Sequence, residues 1–275
     1  MTKLTIKKSW AFMAVLLVVT ALALHAYLTE RSSTGLPNIN PAPEVTLRSM
    51  PNFTAIQDVK EKKERFFNTL YPLIEEENRH LLKKRAAIIK LREQEVLTSH
   101  QSKWLNKIMS HYAIDETLPL ENKYEILLRR VDYIPPSLVL TQAAIESGWG
   151  SSRFTRKANN LFGQWCFEKG CGVVPSSRDK GKQHELASFK SVNGSIRAYL
   201  KNLNTHFAYI ELRETRAYLR EADIPLTGLA LAKTLTRYSE EGDAYVDKVS
   251  AFIKFNKLSR FNTSFEQSLV ASNNE

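Results

Sequence analysis

The sequence predicts a mainly α-helical protein with a small β insert, an α+β fold. Apolar residues recur at helical spacing from Ile56 to Ile114 and again from Leu138 to Ile253. Between Gly163 and Phe189 that spacing gives way to Gly, Ser and paired apolar residues such as Val173-Val174 and Leu186-Ala187. The 275 residues, 43% hydrophobic with ten Gly and ten Pro, leave room for one or two packed domains. With 25% charged and 10% aromatic residues, a disordered chain, a collagen and a disulfide-stapled miniprotein are excluded.

At the start of the chain Lys3, Lys7 and Lys8 precede an apolar run from Trp10 to Leu24. Residues 1–30 therefore read as an export segment. Small residues at Ala21, Ala23 and Ala26 offer weak cleavage points for a signal peptide, and the length of the run suits a retained anchor equally. Either way the lysines stay in the cytoplasm. Everything after Tyr27 is then expected in the periplasm or on the outer face of the inner membrane, with membrane contact if the segment is kept.

Residues 31–52 hold Pro37, Pro41, Pro43 and Pro51 among Ser, Thr and Asn, which reads as a linker or an extended strap that could cover a cleft. Residues 53–130 read as a helical region of two or three helices, with inward positions at Phe66, Leu70, Leu73, Ile74, Leu81, Leu82, Ile88, Leu91, Trp104, Leu105 and Ile108. The mixed charges from Asp58 to Gln94 suit a solvated helical hairpin, a structural arm or a surface for a protein partner. A new domain is expected over 131–261, opened by Tyr133-Ile134-Pro135-Pro136-Ser137. Ser137 would cap a helix from Leu138 to Ser147 that stops at Gly148. After the β insert, helical spacing resumes at Ile196, Tyr199, Leu200, Leu203 and Phe207, at Leu229 to Leu235, and at Tyr245, Val249, Phe252 and Ile253. Residues 262–275 read as a tail.

Export makes Cys166 and Cys171 a local disulfide pair. So small a ring contributes roughly 2 kcal/mol, enough to shape a loop. Two thiolates with His184 alone beside them cannot complete a zinc shell, so neither a metal nor a cofactor is expected. The formal charge of +10 implies a polyanionic partner, whether nucleic acid, anionic lipid or acidic wall polymer. Nucleic acid is disfavoured because no run of five or more basic residues and no recognised binding signature occurs, and a nucleotide-binding role because no Gly-rich phosphate loop is present.

Glu146 falls in the last turn of its helix, at the negative end of the macrodipole, where the protonated form is favoured. That suits a general acid, especially beside Trp149. Phe162, Trp165, Tyr238 and Tyr245 add the flat apolar faces on which sugars stack, and Asn159, Asn160 and Gln164 add amide hydrogen-bonders.

Three segments in order, Ala143-Ala144-Ile145-Glu146-Ser147-Gly148-Trp149-Gly150, Asn160-Leu161-Phe162-Gly163 and Tyr238-Ser239-Glu240-Glu241-Gly242-Asp243-Ala244-Tyr245, resemble the bacterial endo-β-N-acetylglucosaminidase family, which includes the flagellar rod hydrolase and cell-wall autolysins. The resemblance covers roughly residues 133 to 261. It implies a lysozyme-like helical fold with a small β-lobe and cleavage of the β-1,4 bond between N-acetylglucosamine and N-acetylmuramic acid in peptidoglycan strands.

On that resemblance Glu146 is the catalytic acid and Tyr238 the tyrosine across the cleft, with Tyr245 able to exchange roles because the family spaces its two tyrosines one residue closer. Trp149, Asn160, Phe162, Gln164, Trp165 and Tyr245 are the expected substrate contacts. The family often carries a second Glu in the β-lobe, but Pro175-Ser176-Ser177-Arg178-Asp179 stands there, leaving Glu185 and Asp179 as candidate second carboxylates. An inverting enzyme needs that group roughly 6.5–9.5 Å from the acid, and a retaining one about 5–5.5 Å. Without it, the substrate's acetamido group would attack. The alternatives are a lytic transglycosylase or muramidase on the same glycan, and a non-catalytic wall-binding scaffold.

Overall fold

The computed structural model describes Thr20 and residues 35–175 and 184–273. The rest of the expected export segment, and Asp179, lie outside the described residues. In chain order the elements are a 3-10 turn at Phe53–Ala55, α1 (Val59–Arg92), α2 (Ser99–His111), α3 (Leu120–Arg130), α4 (Pro136–Ser147), α5 (Arg153–Ala158), β1 (Trp165–Cys166), β2 (Gly172–Val173), β3 (Glu185–Ala187), α6 (Val192–Thr205), α7 (Ile210–Glu221), α8 (Gly228–Ala232), α9 (Asp243–Phe255) and α10 (Ser259–Asn273). The architecture is the expected one, a helical body with a small antiparallel sheet of order β1-β3-β2.

The stretch from Asp58 to Gln94 is one 34-residue helix and not a hairpin. Asp58 caps it by accepting from Glu61 N–H at 2.6 Å, no Gly interrupts it, and Pro72 sits on the exposed side, where the Asn68 C=O that loses its helical donor lies at the solvent face. Its apolar stripe, Phe66, Leu70, Ile74, Ile88 and Leu91, is buried against α4 and α6. The tail is also a helix: Phe265 of α10 is fully buried, and Asn262 accepts from Ser137 N–H at 3.0 Å. Asn262 thereby caps α4 from outside, while Ser137, expected as the cap, lies within the helix, which starts at Pro136 because a proline's missing N–H is harmless in a first turn.

One apolar core runs from Met50 and Phe53 through α1 to Phe261 and Phe265. Asn78 of α1 brackets the expected boundary, donating to Ile134 C=O at 2.8 Å and accepting from Ile134 N–H at 3.3 Å. Beside it Asp132, almost fully buried, takes a bidentate pair of hydrogen bonds from Arg220 and faces Arg85 and Arg216. Burial pushes the Asp132 pKa up, but the three guanidiniums outweigh it and hold the group below the usual carboxylate range.

The described part of the strap, residues 35–52, is pinned along the body. Trp104 Nε1 donates to Pro37 C=O at 2.7 Å, and Arg197, ion-paired with Glu77, donates to Pro41 C=O at 2.8 Å. Asn193 accepts from Leu47 N–H and donates to Val45 C=O, both at 3.0 Å. Phe207 was expected on a helix stripe, but α6 ends at Thr205 and Phe207 is exposed in a 3-10 turn.

Candidate active site

The site is built on α4. Leu138, Val139, Leu140, Ala143 and Ala144 bury this helix on all sides, so the carboxyl at its end has a rigid support. Gly148, Trp149 and Gly150 then take three successive left-handed φ values of 55°, 58° and 74°. A left-handed tryptophan carries backbone strain. Hydrogen bonds from Trp149 N–H to Ala144 C=O at 2.9 Å and from Gly150 N–H to Ser147 Oγ at 2.8 Å hold the turn.

That turn swings Trp149 away from Glu146. Its ring lies 5.5 Å from Phe66, 5.4 Å from Phe67 and 5.3 Å from Phe252, with Lys63 Nζ 5.3 Å above it. The expectation of Trp149 as a substrate contact is corrected accordingly: it locks the helix end into the core.

Glu146 instead faces a cleft of about 610 Å³ between the helical body and the β-lobe. Phe162, Gly163, Gln164, Trp165 and Phe167 line it together with Tyr199, Lys201, Asn202, Thr205, His206, Tyr209 and Tyr238. No described residue of the strap lines it.

Glu146 Oε1 accepts from Tyr245 Oη at 2.7 Å. Gln142, one turn earlier on α4 and fully buried, donates to Tyr245 Oη at 3.0 Å and accepts from Tyr199 Oη. Tyr238 stacks on Tyr245 at 5.3 Å and donates to Phe162 C=O at 3.3 Å, so Tyr245 holds the acid while Tyr238 presents its ring to the cleft. Burial pushes the Glu146 pKa up, Tyr245 and Lys248 pull it down, and Glu241 adds to the rise; the net direction is above the usual carboxylate range.

Phe162 stacks on Tyr199 at 3.9 Å, and Trp165, 49% exposed, is steadied edge-on by His184 at 4.7 Å. Gln164 Oε1 is buried with no hydrogen-bond partner among the described residues. Asn160 is not among the lining residues. It is a bracket, donating to Gln164 C=O at 2.8 Å and Ala187 C=O at 3.0 Å and accepting from Gln164 N–H at 2.9 Å, and so ties the β-lobe to the turn before it. Asn159 binds Arg48 C=O of the strap at 2.8 Å.

Cys166 and Cys171 form a disulfide whose ring carries Phe167, 77% exposed at the rim of the cleft. Glu185, buried on β3, accepts from Gly170 N–H at 3.1 Å and Gly172 N–H at 2.9 Å, and does not line the cleft. Its carboxylate shapes the disulfide loop. Among the described lining residues Glu146 is the one carboxylate. The sequence reading missed Gln142, Phe167, Lys201 and Tyr209; only Phe167, enclosed between the two cysteines, carried a local signal.

A family model described as mannosyl-glycoprotein endo-beta-N-acetylglucosaminidase matches residues 122–258. Protein bax of Escherichia coli (strain K12) is 34% identical over 210 residues, covering 76% of this chain and 75% of that protein. Exo-glucosaminidase LytG of Bacillus subtilis (strain 168) is 28% identical over 164 residues, 56% of this chain and 51% of that one. Among solved structures, the catalytic domain of the autolysin Auto from Listeria monocytogenes aligns with a TM-score of 0.33 at 20% identity, over 62% of this chain and 93% of that chain. With its matched segment holding the acid-bearing helix, the cleft and both tyrosines, the chain belongs to the glucosaminidase family of glycoside hydrolases.

Proposed function

We propose that this protein hydrolyses the β-1,4 bond between N-acetylglucosamine and N-acetylmuramic acid in peptidoglycan, outside the cytoplasmic membrane. The observation that carries the reading is the half-buried Glu146 carboxyl, raised in pKa and held by Tyr245 at the edge of an aromatic cleft. The lysine-flanked apolar segment, the Cys166–Cys171 disulfide and the charge of +10 are consistent with work on an anionic wall beyond the membrane.

With Glu146 the one carboxylate among the described lining residues, substrate assistance is the favoured chemistry. The acetamido oxygen attacks the anomeric carbon as the glycosidic bond breaks, and protonated Glu146 gives its proton to the leaving oxygen. Water then adds to the anomeric carbon, returning a proton to Glu146 and reopening the ring to the acetamide. Trp165 and Phe167, both exposed, supply stacking surfaces for the sugar rings.

The test is digestion of purified peptidoglycan by the protein from residue 31 onward beside Glu146→Gln, with products identified by mass spectrometry. Reducing-end N-acetylglucosamine from the unsubstituted protein alone is the expected result. Anhydro-muramic ends would overturn it in favour of a transglycosylase, and wall binding without products in favour of a scaffold. Fragment length over time separates cleavage within strands from cleavage at their ends.

A further inference from the structure

Three buried side chains from different parts of the chain form a single hydrogen-bonded line behind the acid: Tyr199 on α6, Gln142 on α4 and Tyr245 on α9, at 1%, 0% and 2% exposure. The line has only one consistent direction. An ionised Glu146 can only accept, so Tyr245 must spend its proton on Oε1. The Tyr245 oxygen can then only accept from the second side, which turns the NH2 of Gln142 toward it and the amide oxygen toward Tyr199. Tyr199 must donate there.

The same logic constrains the protonated acid. A proton on Oε1 would point at a Tyr245 oxygen that already receives one from Gln142, and would strand a buried hydroxyl: that of Tyr245, or that of Tyr199 if the Gln142 amide turns round. A proton on Oε2 disturbs nothing, and Oε2 has no hydrogen bond among the described residues. We propose that Gln142, backed by Tyr199, is a positioning residue that fixes the direction of this line and so places the transferable proton of Glu146 on Oε2.

This rests on the hydrolase reading for its consequence in catalysis but not for its geometry. The other titratable groups facing Glu146 are Lys248 on α9, Glu241 just before it, Tyr209 and Tyr238. None of them hydrogen-bonds to Gln142 or to Oε1, so their contributions stay in place when the line is cut.

The experiment compares the unsubstituted protein with Gln142→Met, which keeps length and volume without hydrogen bonds, and Tyr199→Phe, which keeps the ring stacked on Phe162. Each is assayed for kcat and KM on peptidoglycan across pH, and the Glu146 carboxyl is titrated by 13C NMR. With the line cut, Tyr245 is free to accept from Oε1–H, which favours the protonated acid on the wrong oxygen. The expected result is a fall in kcat of about tenfold with KM within twofold, an upward move of the carboxyl titration and the same move of the basic limb of kcat. Tyr199→Phe moves all three in the same direction, and reads the line if Gln142→Met does not fold. A lower kcat with an unmoved titration would reduce Gln142 to packing and overturn the proposal. An unsubstituted protein without turnover would sink the hydrolase reading, and the NMR titration would still decide the line.

Discussion

Tyr245 Oη lies 2.7 Å from Glu146 Oε1, joining residues 99 positions apart, and this bond makes the end of α4 a defined acid. Burial raises the pKa of the carboxyl, and the tyrosine limits the rise while setting its orientation.

Glu146→Gln is expected to abolish glycan cleavage and to stabilise the fold at neutral pH. A carboxyl whose folded pKa is raised binds its proton more tightly when folded, so its ionisation costs stability as pH rises from the unfolded value through the folded one. The gain in melting temperature should therefore appear at neutral pH and vanish below the unfolded-state pKa. Equal melting temperatures at both pH values would contradict a raised Glu146.

The two tyrosines should part company in a pH profile. Tyr245→Phe removes a donor to the carboxylate, so the Glu146 pKa climbs further and the basic limb of kcat moves to higher pH. Tyr238→Phe loses only a 3.3 Å bond to Phe162 C=O and should leave that limb where it is. A shift in the Tyr238 variant alone would reverse the assignment.

Replacing both Cys166 and Cys171 by Ser frees the loop that presents Phe167. The expected outcome is a KM several-fold higher with kcat nearly unchanged, and a stability loss of about 2 kcal/mol or less in chemical denaturation. Phe167→Ala should reproduce the KM effect without the stability loss, since its side chain is exposed.

Asp132→Ala should cost about 3–5 kcal/mol, because it strands three guanidiniums around a buried site. In the native chain the same group makes the fold acid-sensitive. Its folded pKa is depressed, so its stabilisation is complete above the unfolded carboxylate value and is lost as pH falls through the folded one. Urea denaturation of both proteins between neutral and acidic pH checks the size and the convergence.

Local rules determined much of this protein. Periodicity marked the helices, Gly148 ended α4 and so put Glu146 in its last turn, and the two cysteines of the sequence, five positions apart, had little choice but each other as disulfide partners. These follow from backbone geometry and loop closure within a few residues. What tertiary structure decided lies in contacts across long separations: Asn262 capping α4, Asn78 bridging the expected boundary, and Tyr245 rather than Tyr238 on the acid. The three left-handed residues after α4 sent Trp149 into the core, although its place beside Glu146 in the chain suggested the cleft. Gln142 and Tyr199 were invisible for the same reason. Along the chain each is a residue on a buried helix, and only packing α4, α6 and α9 together gives their polar groups a partner and a direction.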